Sequence, residues 1–66
     1  MNIRSYIMDN FKSNSIEELK DAIEESIKEK EEVTLPGLGV FFELLWTSSN
    51  PDLKEDILKI LKSRLD

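Results

Sequence analysis

Sixty-six residues carry nine basic and fourteen acidic side chains, a net charge of −5, with no cysteine and no histidine. That length allows one domain, 1–66, which even when folded leaves about 40% of its unfolded surface in water. The composition excludes a disulfide framework, a thiolate or imidazole metal site and a histidine general base, and an acidic chain is repelled by nucleic-acid phosphate and anionic lipid.

At the N-terminus, Ile3, Ile7 and Phe11 recur at four-residue spacing beside Tyr6 and Met8, which predicts a short helix over 2–11. The first six residues lack the apolar stretch of a signal peptide, so an intracellular, soluble protein is expected. Ser13-Asn14-Ser15 breaks the pattern. Ser15 and Glu18 then stand at capping-box spacing, and Ile16, Leu19, Ile23 and Ile27 form a stripe of helical period that runs to about Lys30. From Glu17 to Glu32 eight acids face three lysines, and the rest of the chain is balanced. This acidic face reads as a solvated helix surface, because it lacks the alternating Asp spacing of a calcium loop.

The stretch from Val33 to Trp46 is the most apolar and admits two readings. As a helix opened by Pro36, it places its non-apolar residues Gly39, Glu43 and Thr47 four apart, on one narrow exposed stripe with the remainder buried. As a hairpin, Val33-Thr34-Leu35 and Val40 to Trp46 are strands joined by a turn at Pro36-Gly37-Leu38-Gly39. The helix is favoured. The run is too short to span a bilayer. Beyond it, Asn50 suits an N-cap and Pro51 the first position of a last helix, with Leu53, Ile57, Ile60 and Leu61 on its apolar face and Lys54, Lys59, Lys62 and Arg64 around it. The predicted fold is all-α, a compact bundle of three longer helices with a short N-terminal one. The alternative is α+β, three helices with a two-stranded hairpin at 33–46.

The run Leu35-Pro36-Gly37-Leu38-Gly39-Val40-Phe41-Phe42-Glu43-Leu44-Leu45-Trp46 resembles the hallmark of the small acid-soluble spore protein I family. The Ser15-Ile16-Glu17-Glu18-Leu19 entry, the acidic stretch before the motif and the charged last helix also resemble that family, so the likeness covers nearly the whole chain. It implies synthesis in the forespore of a spore-forming bacterium, residence in the spore core, and a non-enzymatic structural or protein-interaction role in sporulation. The chain does not resemble the major spore proteins that coat DNA, and it lacks a Glu-Ile-Ala germination-protease site. A shorter likeness, through Val33, Leu35, Gly37, Leu38, Gly39 and Phe41, is to bacterial histone-like proteins. In those, the motif opens a hairpin that leads to basic DNA-gripping arms, and here the arms are missing. A nucleoid-associated DNA binder with such a hairpin is the alternative function.

Single residues carry few chemical signals. Trp46 is expected in the core, although a tryptophan also suits a binding anchor. Phe41 and Phe42 are adjacent and must point in different directions, which predicts that one of them sits at a subunit interface, for which Trp46 is the other candidate. Glu43 stands alone, with no second carboxylate or nucleophile beside it, so no enzymatic activity, cofactor or metal is expected. Gly37 and Gly39 read as sites of close packing, where valine would destabilise. The expected partners are a second copy of the chain, in a homodimer, and an unidentified spore-core protein. Nucleic acid and membrane are not expected.

Overall fold

The computed structural model describes residues 2–66. Four helices follow in order, α1 (Ile3–Phe11), α2 (Ile16–Glu29), α3 (Leu35–Ser48) and α4 (Pro51–Leu65), with a single 3₁₀ turn at Glu32–Thr34 leading into α3. The all-α reading holds, and the hairpin at 33–46 is corrected: no strand occurs among the described residues. A tight hairpin turn through Pro36-Gly37-Leu38-Gly39 needs positive φ, and neither glycine has it. Pro36 instead lies in the first turn of α3, where its missing N–H costs no hydrogen bond.

Local chemistry sets the helix ends. Asn2 caps α1, its side chain accepting from Ser5 N–H at 3.2 Å. At α2 the capping box is complete: Ser15 Oγ accepts from Glu18 N–H at 3.1 Å, and Glu18 Oε1 accepts from Ser15 N–H at 2.8 Å. Asn50 Oδ1 accepts from Leu53 N–H at 2.8 Å and starts α4, with Pro51 as its first residue. α2 stops at Lys30, which takes the left-handed conformation (φ 55°, ψ 32°) that glycine occupies without a steric penalty. Lys30→Gly is therefore expected to raise stability by about 1 kcal/mol, read as a higher thermal midpoint. An unchanged or lower midpoint contradicts it.

α3 is the centre. Phe11 of α1 meets Phe41 edge to face, ring centroids 5.1 Å apart at 81°. Val40 is the buried apolar residue of the core, 8% exposed. The packing around this nucleus is open. Neither α2 nor α4 lies closely along another helix, and the radius of gyration is 13.0 Å, where a compact chain of this length has about 11 Å. The helix content is as expected and the compactness is not: Ile16 and Ile27 of the α2 stripe are 87% and 57% exposed and Ile60 of the α4 face 66% exposed, so much of the predicted apolar faces has no intrachain partner.

Candidate functional site

The sequence motif maps onto the whole of α3 up to Trp46, and its residues fall on three sides of that helix. The first side faces α1. Ile7 Cδ1 stands 3.6 Å from where a Cβ on Gly37 would lie, ordinary contact for one methyl, so the further methyls of a valine press on the Ile7 side chain. Gly37→Val is expected to push α1 away and cost about 1–3 kcal/mol. Gly39 differs, since nothing lies within 4 Å of a Cβ built there. The expected crowding at Gly39 is thus absent, because it lies on the exposed stripe, and Gly39→Ala is expected to stabilise the helix by about 1 kcal/mol. Melting curves of the two variants should move in opposite directions.

The second side is the polar stripe of Gly39, Glu43 and Thr47, all exposed as the four-residue spacing predicts. Glu43 is anchored there. Both of its carboxylate oxygens accept from Arg4 of α1, through Nε and, at 2.7 Å, through Nη2. This fork joins residues 39 apart in the chain, and nothing in the local sequence signalled it. The hydrogen bonds from Arg4 hold the Glu43 carboxyl below its ordinary 4.5. Those from Ser15, first its backbone N–H and then its hydroxyl, lower Glu18 likewise.

Both carboxyls bind protons more weakly in the folded chain than in the unfolded one. Their contribution is complete above pH 4.5 and is lost as pH falls through the lowered folded values. Stability is expected to drop in acid below that point, and Glu43→Gln should show a shallower drop than the parent chain. Identical acid limbs in the two proteins would show that the Arg4 pair does not couple to folding. Both groups are exposed and water screens them, so the effect is small.

The third side faces α2 and is apolar throughout. Leu19 and Ile23 of α2 form one wall of a groove of about 530 Å³, and Leu38, Phe41, Phe42, Leu44 and Leu45 of α3 form the other. Phe42 is 43% exposed and Leu45 49% exposed. This corrects the expectation that all of α3 outside its polar stripe is buried. The adjacent phenylalanines do part as predicted, Phe41 turning in against Phe11 and Phe42 outward to stack on Trp46 at 5.9 Å and 29°. Trp46 is half-buried, at the edge of the core, and Lys54 Nζ sits 5.3 Å from its ring centroid in a cation–π contact. Leu35 is exposed, and Pro36 lines a second crevice beneath α1.

The basic residues of α4 do not assemble into an anion site. Lys54 is engaged with Trp46, Lys59 pairs with Glu55 at 3.5 Å, and Lys62 pairs with Asp66 at 2.7 Å. Among the described residues, no three His, Cys, Asp or Glu side chains come together as a metal-binding group. No helix among them is long and apolar enough to cross a membrane.

The family model for "Small, acid-soluble spore protein I" matches residues 1–65. Relatives bearing that name include one from Geobacillus kaustophilus, 44% identical over 62 residues that make up 94% of this chain and 90% of the relative. One from Bacillus cereus is 36% identical, covering 97% of this chain and 93% of its own. Another, from Bacillus velezensis, is 37% identical, covering 98% and 92%. No solved structure matches the chain.

Proposed function

The chain belongs to the small, acid-soluble spore protein I family, and from that premise we propose that it is a non-enzymatic component of the spore core that works by protein–protein contact. It is made in the forespore and stays in the core that the forespore becomes. The observation that carries the contact role is the apolar groove between α2 and α3, left open on a chain that is otherwise heavily charged. Open apolar surface of this kind marks an association site. The acidic balance supports a protein partner over nucleic acid, since DNA association draws its strength from neutralised phosphates. The histone-like alternative needed a hairpin at 33–46, and that segment is helix.

A photoreactive residue in place of Leu45, in a tagged chain expressed in sporulating cells, tests this reading. Irradiated spores are expected to yield a discrete protein adduct in the acid-soluble core extract. A chain found in the mother cell, or one that forms no protein adduct in the core, would sink it.

A further inference from the structure

Resting on the association role just proposed, we infer that the groove between α2 and α3 is filled by α4 of a second copy of the chain, reciprocally, in a two-fold dimer. Three observations carry this. The first is area. The chain exposes 5801 Å², about 1500 Å² more than a compact folded chain of its mass. Obligate homodimers bury about 1000–2500 Å² per chain, so one self-association of ordinary size accounts for the excess.

The second is shape. α4 carries Leu53, Ile57 and Leu61 at four-residue spacing, and Leu53 and Leu61 remain 44% and 40% exposed although they share the helix's apolar face. The ridge from Leu53 to Leu61 spans about 12 Å and the longer groove wall, Leu38 to Leu45 of α3, about 10 Å, so the two match in length. A small ligand fits less well, because such sites carry a few placed polar groups for orientation, and every residue lining this groove is apolar.

The third is charge. α2, one wall of the groove, has six acids against two lysines, whereas Ile57 to Leu65 of α4 has three bases and no acid. The present pairs of Lys59 and Lys62 lie within α4 and its end, with side chains 71% and 74% exposed, and such pairs exchange partners at little cost. In a two-fold arrangement each chain supplies one groove and one α4, so both ridges are covered and nothing is left to extend the assembly.

Sedimentation equilibrium of the full chain, from micromolar to millimolar concentration, is expected to pass from the mass of one chain to that of two. Leu45→Glu, in the groove, and Leu61→Lys, on α4, should each weaken self-association by about tenfold or more while keeping the helical circular dichroism of the parent, since both positions are exposed in the single chain. The decisive sample is the equimolar mixture. A mixed dimer has one untouched groove with one untouched α4, and in its other site the new glutamate meets the new lysine. The mixture should therefore associate more tightly than either variant alone. The mass of a single chain at every concentration overturns the proposal. So does a mixture no stronger than its components, which would mean groove on groove or α4 on α4. A single-chain mass together with a spore adduct to a different protein removes the second copy as occupant and leaves the spore-core reading standing. Absence of any adduct removes that reading itself.

Discussion

Val40→Asp is expected to abolish the cooperative thermal transition at neutral pH. Val40 lies in α3 at the centre of the packing and is 8% exposed. A carboxylate there is withdrawn from water into the core, which costs several kcal/mol. A chain of this length has only about 3–10 kcal/mol in total, so the folded state does not survive the change. Protonation removes most of the penalty. The introduced carboxyl has a raised pKa in the folded chain, so the loss is complete in alkali and eases as pH falls toward that value. Val40→Ala, which removes two methyl groups and adds no charge, should cost only about 1–2 kcal/mol. A parent-like melt for Val40→Asp would mean that α3 is not where the core forms.

Phe41→Ala is expected to cost about 2–3 kcal/mol, less than the value for a fully buried phenylalanine because Phe41 is half-buried. The loss combines apolar area with the edge-to-face contact to Phe11. A cycle with Phe11→Ala should give a coupling of about 0.5–1.5 kcal/mol, and a coupling of zero would mean that the two rings do not meet in solution. Phe42→Ala is the informative neighbour. Its ring lies outward on Trp46, so its removal should leave the melt of dilute protein nearly unchanged. If Phe42→Ala were the more damaging of the two, the rotation assigned to α3 would be wrong.

The parts of this fold legible in the sequence are those governed within a turn or two of the chain. Ser15 with Glu18 and Asn50 with Pro51 announce helix starts because a cap and its target are three residues apart, and both form as expected. The four-residue recurrence of Gly39, Glu43 and Thr47 favoured the helix over the hairpin for the same reason. Periodicity does not tell which faces meet. It identified apolar stripes on α2, α3 and α4, but not that those of α2 and α4 find so little cover within the chain. The Arg4–Glu43 fork joins side chains 39 positions apart and has no local signature. The left-handed stop at Lys30 was invisible because no glycine marks it. The two glycines of the motif looked equivalent, and only the neighbouring helix distinguishes Gly37, beneath Ile7, from Gly39, which faces open space.

The openness of the packing also sets a clock. Almost every contact in the chain closes within a single helix or between neighbours in sequence, and chains of such low contact order reach their native topology in microseconds to milliseconds. In the dimer proposed above, helices formed on that scale wait for an encounter. In rapid dilution from denaturant, the early gain of ellipticity should therefore be independent of protein concentration, and the later quenching or shift of Trp46 fluorescence, at the foot of α4, should accelerate as the protein is made more concentrated.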